Sequence, residues 1–473
     1  MAHPVEETIN GTLGILPRTI DDAISVVLSM GFKYLWVDRY CIPQQDEVEK
    51  TRLIDHMGHI YKNSVLTIIA AMGTGPDCGL PGITPGLRST PTPFSVNGWS
   101  FVGQDLSVNI DIQQSTWNSR GWTFQEGLLS TRKLIFSSRQ LYFQCNAMHC
   151  LEGTDVELHK LHTKDLQRML DKTEIPRALP NEGSGATAVD LLDRITEFGA
   201  RRLTNNNDVL RAFQGILQEF APLDEVNAVI SGLPIFSFDV YRRKWLRTEF
   251  DFEDRLAHAL MWELPNRPAK DENLGMERRT CFPSWTWAGW SADHEFFHPH
   301  GLRIRHELSH CRSSLASFAL QFSDGDSINC QDSLETIRVI QEKQGLHHDV
   351  KYIHIRANAL NVEWLGHENG QDSWHNSQVR LRSSDGAEKL AHFSGLNMCC
   401  SPSSVRELQC RAVAMVHYES AAVIFLFVVQ PKGEPYYERI GVGFLFLHVK
   451  GDLSFNSYAR AFPNWCTKDI ILG

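Results

Sequence analysis

Two short apolar runs, each preceded by a stretch of helical periodicity, set the strongest constraint on how this chain folds. Ile20, Ala23, Ile24, Val27 and Leu28 recur at the spacing of one helix face. They follow Pro17-Arg18-Thr19, and Asp21 and Asp22 lie where the helix dipole favours negative charge. Gly31 closes that helix. Lys33 to Asp38 then forms a short continuous apolar run, the pattern of a buried strand covered on both faces, and it delivers Asp38 to a rim. Leu53, Ile54, Met57, Ile60 and Tyr61 return to helical spacing, and Val65 to Ala71, VLTIIAA, is a second apolar run. Alternation of helix and strand predicts an α/β domain on a doubly wound parallel sheet, whose ligands bind beyond the carboxyl ends of the strands.

After a Gly/Pro-rich loop near residues 73–93, an amphipathic segment over 119–129 leads into KLIFSSRQLYFQC, which has the pattern of a hairpin. The α/β domain is expected to fill residues 1–150. A connecting segment and linker over 151–188 contains EIPRALPNEGSGATA, and a helical region over 189–280 carries VDLLDRITEFGARRL and NDVLRAFQGILQEF, each with an apolar stripe. From 281 to 473 the chain changes to short apolar or alternating runs such as YIHIRANALNVEWL and AVIFLFVV, which predict a mostly β region.

The bulk properties narrow the function. The formal net charge of -10 is spread along the 473 residues, with no run of Lys and Arg able to track a phosphate backbone, so nucleic acid is not expected as a partner. The apolar run Ala421 to Val429 is about half the ~20 residues that a spanning helix needs, so no membrane span is expected. The opening residues MAHPVEETIN carry acid where a leader would carry positive charge. Eleven cysteines at irregular spacing offer no disulfide framework, and reduced thiols in a cytoplasmic protein fit them.

Three separated blocks then share a resemblance. YLWVDRYCIPQQD (Tyr34 to Asp46), MGHIYKNSVLTIIAA (Met57 to Ala71) with the trailing Cys78-Gly79-Leu80, and SRGWTFQEGLLSTRKLIF (Ser119 to Phe136) together resemble the heterokaryon-incompatibility (HET) domain of filamentous fungi. LTNNNDVLRAFQGIL, SGLPIF, FPSWTWAGW and YYERIGVGF are similar to segments that follow this domain. The resemblance implies self/non-self recognition ending in programmed cell death, through an incompatibility partner protein or a homo-oligomer. It also implies a fold like that of Toll/interleukin-receptor (TIR) domains. The family's domain usually opens on a strand of the form LSYxWG, and GTLGIL at Gly11 to Leu16 is a poor substitute, so the domain is expected to be incomplete at its N-terminus.

Some TIR domains cleave the nicotinamide bond of NAD with one glutamate, and Trp122 to Glu126, WTFQE, is similar to the segment that carries it. The resemblance implies Glu126 as the catalytic carboxylate, with NAD as substrate and no permanently bound cofactor. Beside it, Trp122 would stack on the departing nicotinamide, Arg120 would clamp a pyrophosphate with its planar fork, and Asp38 would line the pocket. Each residue has a structural alternative: Trp122 in the core, Asp38 as a turn cap or ion pair, Glu126 as an ion-paired surface carboxylate. Two other function classes compete. A non-catalytic interaction protein would signal by self-association. A zinc metalloprotease would use His306, Glu307 and His310 of HELSH, which match HExxH.

Overall fold

The computed structural model describes residues 16–88, 94–101, 108–146, 149–152, 178–180, 183–223, 226–236, 250–262, 277–291, 311–343, 350–366, 378–382, 388–392, 394–398, 408–418, 422–446 and 466–473. The chain divides into two compact units. The first comprises Met1–Gly185 with Arg201–Leu203 and Arg211–Ile216, and the second comprises the remaining residues.

In the first unit, helix α1 (Arg18–Ser29) begins directly after Pro17, whose ring presets the backbone for a first turn, and ends at Met30 before Gly31 in the left-handed region. The helical pattern of residues 46–61 divides at His56 into α3 (Glu47–Asp55) and α4 (Met57–Asn63). Asp46 caps α3 by accepting from the Val48 and Glu49 N–H groups. VLTIIAA yields β1 (Thr67–Ala70). An exposed hairpin, β2 (Phe94–Val96) and β3 (Trp99–Phe101), turns through Asn97-Gly98 with both residues at positive φ. Helices α5 (Val108–Gln113), α6 (Thr116–Ser119) and α7 (Thr123–Leu129) lead to β4 (Arg132–Phe136), β5 (Leu141–Cys145) and β6 (His149–Leu151).

Two expectations are corrected here. The run Lys33 to Gln44 is not a buried strand: residues 33–37 join no described sheet, and Asp38–Cys41 is a short helix, α2. Lys33 is exposed and Tyr34 is 91% exposed, so the run lacks the two-sided cover that such a strand requires. Nor is the described sheet a doubly wound, TIR-like parallel one. It has four strands in the order β1-β4-β5-β6, with β1 parallel to β4 and the rest antiparallel. A parallel step needs a crossover, which helices α5 to α7 supply, whereas the short SSRQ turn after β4 permits only an antiparallel return. The first unit is therefore mixed α/β on a small mixed sheet, with the expected hairpin present. Of GTLGIL, the poor substitute for the family's first strand, all but Leu16 lies outside the described residues.

One face of the sheet packs Ile69, Ile135, Tyr142 and Leu151 with Val108, Ile112 and Trp117 from the helices. The next row across that face is polar and buried: Thr67, Lys133, Gln144 and His149 in register. Gln144 bonds the backbone of Leu179 in both directions, and burial pushes the Lys133 amine down to about 8.

The second unit is mostly antiparallel β, with helices such as Ala188–Gly199 and Phe252–Ala259. Its long strand Val350–Gly366 pairs with four others, among them Gln409–Tyr418, which continues into Ala422–Gln430 and Glu438–Phe446. AVIFLFVV is thus a buried strand, and among the described residues no helix is long and apolar enough to cross a membrane. The FPSWTWAGW segment is structural: Trp285 and Trp290 enter the core, and buried Arg439 lies 3.5 Å from the Trp262 ring centroid and donates to the Leu260 and Trp262 carbonyls.

Cys78-Gly79-Leu80 owes its place to α1. Asp22, itself buried, accepts from the Leu80 N–H at 2.6 Å and from the Thr84 hydroxyl. Leu80 then fills a small core with Val26 and Phe136. Gly79 has φ +77°, and a Cβ there would lie 2.3 Å from Thr84 Oγ1. Asp22→Ala leaves a buried N–H without its acceptor and is expected to cost about 2 kcal/mol in urea unfolding, with Gly79→Ala also destabilising. Unchanged midpoints in both variants contradict this account of the loop.

Candidate functional site

Helices α4 and α7 cross so closely that their backbones meet a third segment. A Cβ on Gly58 would lie 2.9 Å from Gly215 Cα and 3.3 Å from the Gln125 side-chain oxygen. Gln125, 1% exposed, donates to the carbonyls of Arg211 and Ala212, and Phe124 stacks on Phe213 at 6.2 Å. Residues 211–216 thereby grip one side of α7. With that side buried, Glu126, one position on, points elsewhere.

What Glu126 meets is Trp117 and Tyr61. The Trp117 indole N–H donates to Glu126 Oε2 at 3.0 Å, and the Tyr61 hydroxyl lies near the same carboxylate. Both rings are buried, at 8% and 7% exposure, and Trp36 packs edge-on against Tyr61 at 5.7 Å. Burial holds the Glu126 carboxyl above the usual range. The Trp117 hydrogen bond opposes that shift, the Asp38 charge adds to it, and Arg120 and Tyr61 oppose it. Burial also pushes the Tyr61 phenol well up, helped by the charges of Glu126 and Asp38 and opposed by Arg120. Glu126 keeps some surface as a residue while its carboxylate is closely surrounded, which is why desolvation leads.

Of the four residues singled out in the sequence, three come together here: Glu126 at the centre, with exposed Asp38 and Arg120 near enough for their charges to act on its carboxyl. Asp38 arrives as the first residue of α2, its carboxylate accepting from the Arg39 N–H at 2.6 Å. The fourth, Trp122, is half-buried at the residue before α7, and the indole that reaches Glu126 is Trp117. Sequence reading missed Trp117 and Tyr61. Each left a signal, since a buried indole N–H or phenol requires a hydrogen-bond partner.

The turn between α6 and α7 is fixed from outside. Arg202 N–H donates to Ser119 O at 2.6 Å and Gly121 N–H donates to Arg202 O at 2.7 Å, so Arg120 and Arg202 face each other in an isolated parallel bridge. A Cβ on Gly121 would lie 2.5 Å from Leu203 Cδ2, which accounts for the glycine in SRGWTFQE. Arg201 is consumed in the same turn. Its guanidinium donates to Arg120 O and to Asn118 Oδ1 and lies 4.5 Å from the Phe124 ring centroid.

No group of three or more His, Cys, Asp and Glu able to hold a metal occurs among the described residues. The HELSH residues His306, Glu307 and His310 lie outside them.

Residues 3–126 match the family described as heterokaryon incompatibility protein (HET), a match that ends at Glu126. No curated protein and no solved structure matches the chain.

The raised Glu126 carboxyl has a measurable consequence. A group that holds its proton more tightly when folded contributes stability below the ordinary carboxylate range, and loses it as pH rises through the raised value. Glu126→Gln keeps an acceptor for the Trp117 N–H without the charge. Its thermal midpoint is expected to exceed wild type near pH 7, with the difference shrinking toward about pH 4. A midpoint at or below wild type at pH 7 contradicts the burial argument.

Proposed function

From the HET domain carried by residues 3–126, we propose that this chain acts in heterokaryon incompatibility, where contact between unlike partners triggers cell death, and that it does so by cleaving NAD at Glu126. The observation that carries this reading is a carboxylate kept in a poorly solvated position by the Trp117 donor and the buried Tyr61 beside it, with an arginine at its side. Ordinary surface carboxylates are solvated and loosely paired.

The chemistry follows from that placement. Breaking the bond from ribose C1′ to the nicotinamide nitrogen sends its electron pair to the ring, and neutral nicotinamide leaves. Positive charge grows on the ribose, where the preorganised Glu126 carboxylate offsets it or accepts from a ribose hydroxyl. Water adds at C1′ and releases a proton, giving ADP-ribose. Trp117 and Tyr61 aim the carboxylate, and Arg120 faces the anionic part of the dinucleotide. Asp38 places a second carboxylate beside Glu126, which also favours the developing cation.

Incubating the full chain with NAD is expected to release nicotinamide, and Glu126→Gln to lower the rate by about 100-fold or more. No release by wild type, or equal release by Glu126→Gln, contradicts catalysis.

A second reading, signalling by association, draws on the β2–β3 hairpin. Phe94, Val96, Trp99 and Phe101 are all exposed, with the two phenylalanines stacked at 5.4 Å. Under that reading, killing on overexpression survives Glu126→Gln and is lost on replacing Trp99 and Phe101 by Ser.

A further inference from the structure

We propose that Arg120 and Arg202, facing each other across the isolated parallel bridge beside the Glu126 cluster, form a two-pronged binding site for a diphosphate group. This assigns a binding role to a residue outside the matched HET segment, and it names the part of the substrate that the site holds. It rests on the reading of the Glu126 cluster as the acting site.

The geometry starts with the backbone. Arg202 bonds through both its N–H and its carbonyl to the residues that flank Arg120. Residues directly opposite in a bridge send their side chains to the same side, so Arg120 and Arg202 leave the bridge on one side. Like charges placed opposite one another are unfavourable. In the same unit Arg88 pairs with Glu152 and Arg139 with Asp111. Neither Arg120 nor Arg202 makes an ion pair within 4 Å among the described residues, and both are exposed. Arg201, between them in the chain's return, is taken up by Arg120 O, Asn118 and the Phe124 ring, so the backbone is fixed while the two outer forks stay open.

The ligand class follows from the chemistry. Each guanidinium presents N–H donors in a planar fork that matches two oxygens of one phosphate. Two adjacent forks match two linked phosphates. Arg120 also acts on Glu126 and Tyr61, which connects the anion site to the carboxylate. A molecule with a diphosphate at the arginine pair and a sugar at Glu126 spans both, as a dinucleotide does.

The test is titration calorimetry of the full chain with ADP-ribose and, separately, inorganic pyrophosphate, neither of which requires turnover. Wild type is expected to bind both. Arg202→Gln is expected to weaken each by about 10-fold or more, and Arg202→Lys to recover only part, because lysine keeps the charge but not the fork. Both positions are exposed, and far-UV circular dichroism checks that each variant keeps its fold. In turnover, Arg202→Gln is expected to raise KM for NAD and leave kcat within about 3-fold. Wild-type chain that binds neither ligand, or Arg202→Gln that binds both as wild type does, overturns the proposal. Arg202-dependent ADP-ribose binding without nicotinamide release sustains the diphosphate site and removes NAD cleavage. Nicotinamide release with affinity and KM unchanged in Arg202→Gln does the reverse.

Discussion

The close crossing of α4, α7 and residues 211–216 is the constraint on which the site depends. At Gly58 and Gly215 two backbones approach to a distance that admits no side chain, and Gln125 is buried in the same joint, donating to two carbonyls. Protein interiors transmit such constraints because they are close-packed. Fixing α4 against α7 fixes Tyr61 against Glu126, and the fold of α6 onto α7 adds Trp117. A carboxylate is thus held by groups from two helices, and its charge is left poorly solvated.

That arrangement is costly to keep unless it is used. A raised carboxyl, a phenol pushed well up, an exposed Asp38 and an exposed Arg120 all converge on one position. Two neighbouring groups, Glu126 and Tyr61, are shifted together, a pattern found at functional sites. The sheet beneath carries a second buried polar row, Thr67 to His149, but there Gln144 satisfies the backbone of the following segment, a structural use. Residues 201–203 and 211–216 complete the first unit although they lie beyond the matched segment, so that unit is closed by chain that returns to it.

Much of this was legible in the sequence where the signal was local. The stripe from Ile20 to Leu28, the run VLTIIAA and the hairpin KLIFSSRQLYFQC each have a period that one element satisfies, and each formed. KYLWVD misled because an apolar run does not say whether both of its faces will be covered, and Tyr34 shows that here they are not. Glu126, Asp38 and Arg120 were found through the HET-like blocks. Tyr61 was hidden inside an apolar stripe, Trp117 stood nine positions from the carboxylate it serves, and Arg202 faces Arg120 through a bridge that no local pattern encodes.

The central claim is that the Glu126 carboxylate, and not merely the surface around it, does the work. Expression of the full chain and of Glu126→Gln at matched abundance in a compatible fungal host tests this most directly, with cell viability and cellular NAD followed together. The account predicts that wild type lowers both and that Glu126→Gln, folded and at least as stable, lowers neither. Killing by Glu126→Gln equal to that of wild type would contradict it.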